Sequence, residues 1–183
     1  MPERDCKCET PPKPMTPATA ATQRRAARSA RSVRSAGLLV FRTTRLGPEF
    51  LLVHPGGPFW RSRDDGAWSI PKGLIDPDED ELVAAQREFR EETGLAPPTG
   101  PYQRLADLRQ KSGKTVLCWL VAGDLDLASF RSNTFEMDWP RGTGRSITAP
   151  ECDRAAYFPT EHAMQKVLAG QAGFIAEASQ RLT

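Results

Sequence analysis

The sequence predicts an α/β protein in which a mixed β-sheet packs between helices. Three observations predict it. Short apolar, β-branched runs recur from residue 36 onward, one segment between residues 78 and 94 has strong helical character, and a second helical stretch closes the chain after residue 160. Strands fall on both sides of the central helix without strict alternation, so the order does not suggest a doubly wound sheet.

The elements follow in order. Residues 1–33 are rich in Pro, Ala, Thr, Ser and Arg and nearly devoid of large apolar side chains, which predicts a disordered tail. Its Arg/Ser/Ala bias also fits an organellar transit peptide or a weak nucleic-acid-binding arm, but composition favours a solvated tail. Cys6 and Cys8 have no partner ligands nearby, and two thiolates do not make a tetrahedral zinc site. Residues 34–183 are expected to form one folded domain. AGLLVFRT and EFLLVHP, separated by TRLGPE, read as a hairpin. The polar, aromatic loop GGPFWRSRDDGAW ends at an expected short strand, WSIP. The segment DEDELVAAQREFREETGL reads as a helix with Asp78 or Asp80 as N-cap and Gly94 just past its end. QRLADLRQ and KTVLCWLVAGDL flank KSG as a second hairpin, SNTFEMDWPRGTGRSITAP is expected to be loop, and DRAAYFP a strand. The last stretch, TEHAMQKVLAGQAGFIAEASQRL, reads as helix, break at Gly170, helix.

Composition excludes several classes. Of 183 residues 39% are apolar, enough for a core, yet no run approaches the ~20 apolar residues of a membrane span. Four cysteines, at positions 6, 8, 118 and 152, are too few and too uneven for a disulfide framework, so a cytoplasmic location is expected. The net charge of +2 conceals a basic tail, with eight Lys or Arg against three acidic residues over positions 1–35. Acidic residues concentrate instead between Asp76 and Glu92, eight in seventeen positions, a density that repels itself unless a cation binds.

On the predicted helix Glu88, Glu91 and Glu92 fall at i, i+3 and i+4, one narrow face, while Leu82, Ala85 and Phe89 occupy an adjacent apolar face. Like charges at i,i+4 cost an isolated helix ~0.2–0.5 kcal/mol per pair, and hard oxygen donors in this number suit Mg²⁺ or Mn²⁺. A solvated acidic helix paired with Arg87 and Arg90 is the alternative. A calcium loop opening at Asp76-x-Asp78-x-Asp80 fails, because Glu81 stands at its glycine position and Arg87 at its terminal glutamate position.

Gly73, Glu79 and Arg87-Glu88-Phe89-Arg90-Glu91-Glu92-Thr93-Gly94-Leu95 match G-x5-E-x7-R-E-U-x-E-E-x-G-U at all nine specified positions over 23 residues, where U is a bulky apolar residue. By this signature the chain resembles the Nudix hydrolases. The resemblance implies an α/β/α sandwich and water attack on a phosphorus of a diphosphate bridge in a nucleotide, with Mg²⁺ or Mn²⁺ as cofactor. It implies metal binding by Glu88, Glu91 and Glu92, with Glu88 also a candidate base and the Lys72 backbone carbonyl completing the shell. It further implies that Arg87 orients Glu91, and that Gly73, Glu79 and Gly94 serve structural roles. An additional carboxylate often comes from a late loop; Glu151 resembles that position, with Asp153 and Glu136 as rivals.

The substrate is read from the flanks of this signature. WSIPKG, with Pro-Lys-Gly before the box, resembles a branch that includes dinucleoside polyphosphate hydrolases, and Lys72 would add a cation suited to a long phosphate chain. HPGGPFWRSRDDGAW resembles proteins known mostly as predicted NTP pyrophosphohydrolases. Arg61, Arg63, Lys111 and Lys114 are candidates to meet phosphate, and His54 ends a strand where it could do the same. Trp60 and Trp68 fit stacking on a base as well as core packing; Trp119, in an apolar strand, fits the core. The expected function is a metal-dependent pyrophosphohydrolase of a nucleoside polyphosphate. A silent nucleotide-sensing module and an RNA 5′-end hydrolase assisted by the tail are the alternatives. A small-molecule nucleotide is the expected partner, with neither membrane nor nucleic acid, and nothing in the sequence sets an oligomeric state.

Overall fold

The structure, a computed structural model, describes residues 33–183. The tail expected over residues 1–33, Val33 excepted, and the Cys6/Cys8 pair lie outside the described residues.

Strand β1 (Arg34–Thr44) turns through Arg45 and Leu46 into β2 (Gly47–Pro55), pairing antiparallel from Phe41↔Phe50 to Thr44↔Gly47. On its other edge β1 runs parallel to β6 (Thr115–Ala122). Beyond β6 lie the short strands β4 (Gln103–Arg104) and β5 (Leu108–Arg109), and beyond β2 lies β9 (Cys152–Pro159), all antiparallel to their neighbours. One parallel pair within a largely antiparallel sheet makes it mixed, as expected. The segment after the long loop differs from expectation. Trp68 and Ser69 make only isolated bridges, to Val167 and Val53, and the strand proper is β3 (Lys72–Leu74), which pairs with Ser35–Gly37 of β1. Pro71 ends the first stretch because it has no N–H to donate, while its carbonyl accepts the Leu38 N–H at 3.1 Å. Residues 69–74 therefore wedge between β1 and β2 where those strands part.

Period-two alternation sorts the core. Leu38, Val40, Leu117, Trp119 and Val121 face one side and pack on Ala84, Ala85 and Phe89 of helix α1 (Glu81–Thr93). Leu39, Phe50, Leu52, Cys118 and Leu120 face the other, against Ala163 of α2 (Thr160–Lys166) and Phe174, Ile175 and Ala178 of α3 (Ala172–Leu182). Each such Leu or Phe contributes ~1.5–3 kcal/mol by leaving water, so both helical layers are held by the same sheet. The result is an α/β/α sandwich. A 3₁₀ turn, Ala169–Gln171, supplies the expected break between α2 and α3.

Helix α1 begins and ends where its caps dictate. Asp80 accepts hydrogen bonds from the N–H groups of Leu82 and Val83 at 2.9 and 3.1 Å. Gly94 stops the helix at φ 69°, and a side chain there would also strike the Arg131 carbonyl. Residues 134–150, expected to be loop, instead form a hairpin of β7 (Thr134–Asp138) and β8 (Ser146–Pro150). Phe135, Met137, Ile147 and Ala149 share its apolar face.

Candidate functional site

The wedge at residues 69–74 brings β3 against the C-terminal half of α1, and there the carboxylates meet. The Lys72 N–H donates to Glu92 Oε2 at 2.9 Å, tying the start of β3 to the helix. One residue on, Gly73 lies so close to Glu88 that a Cβ would fall 1.8 Å from Glu88 Oε2. Only glycine leaves room for that carboxylate.

Arg87 anchors the outer side. Its Nε and Nη2 bind Glu79 at 2.8 and 2.9 Å, Nη2 also binds the Leu74 carbonyl at 3.0 Å, and Nη1 binds Glu88 at 2.8 Å and Glu91 at 3.1 Å. Five contacts use the five N–H donors of a guanidinium, leaving none for a substrate. Arg87 thus positions Glu88 and Glu91, and Glu79 in turn positions Arg87.

The three glutamates of the helix face do not have equal surroundings. Glu91 is 40% exposed and held by Arg87. Glu88 is 14% exposed; burial pushes its carboxyl up, against the opposing pull of Arg87, and the charges of Glu91 and Glu151 push it further. Glu92 is pushed up to about 7, first by burial and then by Glu88 and Glu151, although Lys72 and its backbone N–H favour the ionised form. Glu151, in the corner between β8 and β9, is near enough for its charge to act on Glu88 and Glu92, and its two rivals have partners of their own. Asp153 binds His54, and Glu136 accepts from the Ser146 hydroxyl on the exposed hairpin. Among the described residues no three His, Cys, Asp or Glu side chains are already drawn around one point. The donor set nevertheless fits a divalent cation, since Glu88, Glu91, Glu92 and Glu151 offer hard oxygens whose mutual repulsion a cation would relieve.

Two lysines border these carboxylates. Lys114, in the turn before β6, is half-buried; burial and the charge of Lys72 push its ammonium down, while Glu88 and Glu92 favour its charged form. Lys72 and Lys114 are therefore electrostatic neighbours at one site, approached from two different strands.

The remaining candidates stand apart. His54 is 0% exposed, with Nδ1 2.7 Å from Asp153 Oδ1 and Nε2 2.8 Å from the Arg63 carbonyl, so neither nitrogen is left for a phosphate. Alternation along β2 puts it on the side of Phe50 and Leu52, the face away from α1. Trp68 is buried on that same face, edge-on to His54 and Phe158, with its Nε1 donating to Asp64 at 2.7 Å. It packs in the core and presents no face to a base. Arg63 lies over Trp60, its Cζ 5.4 Å from the ring centre, and Arg61 is exposed in the same loop. Asn133, which no motif marks, donates its N–H to the Glu91 carbonyl and accepts the Glu151 N–H on its own carbonyl, at 2.9 and 2.8 Å. It clamps the late carboxylate to the end of α1, a long-range contact with no local signal.

Against known proteins, the sequence profile of the NUDIX domain matches residues 31–177. The bis(5′-nucleosyl)-tetraphosphatase [asymmetrical] of Mus musculus is 33% identical over 100 residues, covering 48% of this chain and 63% of that protein. The protein of that name from Caenorhabditis elegans is 40% identical over 61 residues, covering 33% of this chain and 40% of its own. The chain therefore spans less than two thirds of the length of these relatives. Among solved structures, the NUDIX domain of Shewanella oneidensis NrtR complexed with ADP ribose matches at a TM-score of 0.61 and 20% identity, over 92% of this chain and 100% of that one. A binary complex of C. elegans Ap4A hydrolase matches at 0.55 and 24%, over 82% and 97%. At these identities the structural likeness is one of fold.

Proposed function

The chain belongs to the Nudix family, and from that premise we propose that it is a Mg²⁺-dependent pyrophosphohydrolase that cleaves a diphosphate linkage in a nucleoside polyphosphate. The observation that carries the reading is the seating of Glu88 against Gly73 and of Glu92 on the Lys72 N–H, with the charges of Glu151, Lys72 and Lys114 acting on these two carboxylates or beside them. Glu88, Glu91 and Glu92, with the Lys72 carbonyl and Glu151 as the further late carboxylate, would hold the metal. When bound, Mg²⁺ or Mn²⁺ would neutralise phosphate oxygens and make water a better nucleophile.

The chain's own residues do the rest. Glu88, seated against Gly73 and oriented by Arg87, takes a proton from the attacking water at its carboxylate. The water oxygen bonds to phosphorus as the bridging P–O bond breaks. Lys72 and Lys114 draw the phosphate chain toward the carboxylates and offset its charge. Relatives named as tetraphosphatases and the adjoining lysines both support a substrate with several phosphates.

Incubation with dinucleoside polyphosphates, NTPs and ADP-ribose in Mg²⁺, with products separated by ion exchange, tests the reading. Nucleotide polyphosphates should be hydrolysed; turnover of none of them would remove the assignment. Lys72→Ala should lower kcat/KM for a dinucleoside tetraphosphate more than for ADP-ribose, because a point cation interacts more strongly with more bound phosphate charge. Equal losses would reduce Lys72 to a support for its loop.

A further inference from the structure

Helix α1 ends at the carboxylate site, and a short strap of chain satisfies that end. The last four carbonyls of a helix have no partner within it. Here the Arg90 carbonyl accepts the Gly94 N–H at 2.7 Å, that of Thr93 accepts the Arg131 N–H at 2.9 Å, and that of Glu91 accepts the Asn133 N–H at 2.9 Å. Residues 131–133, between the 3₁₀ turn Leu127–Ser129 and β7, therefore lie against the end of the helix that carries the glutamates.

The strap's other polar atoms turn the opposite way, to the corner between β8 and β9. The Asn133 carbonyl accepts the Glu151 N–H at 2.8 Å, and Ser132 Oγ accepts the Cys152 N–H at 2.9 Å. From the loop after β2 the Gly56 N–H donates to the Glu151 carbonyl at 2.8 Å. Both backbone polar groups of Glu151 are thus engaged, and so is the N–H that follows it. Of these contacts only that of Ser132 is made by a side chain. Cys152 is 5% exposed, so its N–H would find little water in place of the lost hydroxyl.

We propose that Ser132 is a positioning residue for Glu151: its hydroxyl fixes the peptide between Glu151 and Cys152, and so sets the Glu151 carboxylate relative to the glutamates of α1. The proposal rests on the reading of Glu151 as a metal-holding carboxylate, whose charge acts on Glu88 and Glu92. Ser132 itself touches neither metal nor substrate. Groups that orient a metal ligand commonly govern about 10–100-fold in metal affinity.

Mn²⁺ titrated into the full chain without nucleotide, with the free ion counted by electron paramagnetic resonance, tests this apart from turnover. Ser132→Ala should weaken Mn²⁺ binding by about tenfold, and Ser132→Thr, which keeps the hydroxyl, should bind as the parent does. Glu151→Gln should weaken binding at least as much. Adding Ser132→Ala to Glu151→Gln should cost nothing further, because the residue then has no carboxylate to position. Parent-like affinity in Ser132→Ala beside weakened binding in Glu151→Gln would overturn the role of Ser132 and leave the metal reading standing. A full further loss in the double variant, or Ser132→Thr as weak as Ser132→Ala, would overturn it by showing that Ser132 supports the fold instead. Parent-like affinity in both single variants would remove Glu151 from the metal site and the proposal with it.

Discussion

Arg87 sets the geometry of the glutamate face, and its partner Glu79 shows how strongly. Hydrogen bonds from Arg87, then from the Asp76 backbone N–H, hold Glu79 down to about 2 against a modest opposing effect of burial. A carboxylate depressed in the folded state contributes stability above its unfolded value, near 4.5, and that contribution is lost as pH falls toward 2. Denaturant unfolding between about pH 6 and about pH 2 should show this loss, and Glu79→Gln should flatten it. Parallel pH profiles for the two proteins would show that the pair contributes nothing. At this scale the sequence is informative where a spacing pattern exists: Gly73, Glu79, Arg87, Glu88 and Glu92 all lie on or against one helix. His54 and Trp68 carry no such pattern. Their types suit phosphate and base contacts, but which face of the sheet they occupy follows from strand register, and register puts them opposite α1.

Among the elements, α1 was legible almost to the residue because both of its ends are chemical. Asp80 supplies the cap and Gly94 the left-handed stop. The β7–β8 hairpin was not legible. Its strands are five residues each, its connection carries Pro140, Gly142 and Gly144, and its period-two apolar set has only four members. Phe135, Met137 and Ala149 pack beside Gly57, a contact distant in sequence. The link between β3 and α1 is the element contact on which the chemistry depends, and Gly73 makes it possible. Gly73→Ala would push a Cβ into the space of the Glu88 carboxylate. It should lower kcat/KM by about 100-fold, the order of cost for an ångström of misplacement, with a shift in Tm of only a few degrees. Unchanged turnover would show that Glu88 does not need its place against β3.

For the whole molecule, residues Val33–Thr183 form one compact unit around a sheet covered on both faces. The Val33 carbonyl accepts the Thr115 N–H at 3.0 Å, and Arg34 pairs with Glu81, so the first described residues already belong to that unit. A chain starting at Val33 should therefore unfold cooperatively and hydrolyse small nucleotides at the parent rate. Loss of the cooperative transition would place part of the fold's support upstream. Among the described residues no helix is long and apolar enough to cross a membrane.

The proposed function depends on a divalent cation held by Glu88, Glu91 and Glu92 with Glu151. Its most direct test is the initial rate on a dinucleoside tetraphosphate with Mg²⁺, in excess chelator, and after Mg²⁺ is restored, for the parent and for Glu92→Gln. The variant keeps the side chain's size and its acceptor for the Lys72 N–H while removing a buried charge. Activity is expected with Mg²⁺, none in chelator, full recovery on restoring Mg²⁺, and a rate lower by orders of magnitude in a variant that melts as the parent does. Turnover in excess chelator, or near-parent turnover by Glu92→Gln, would contradict it.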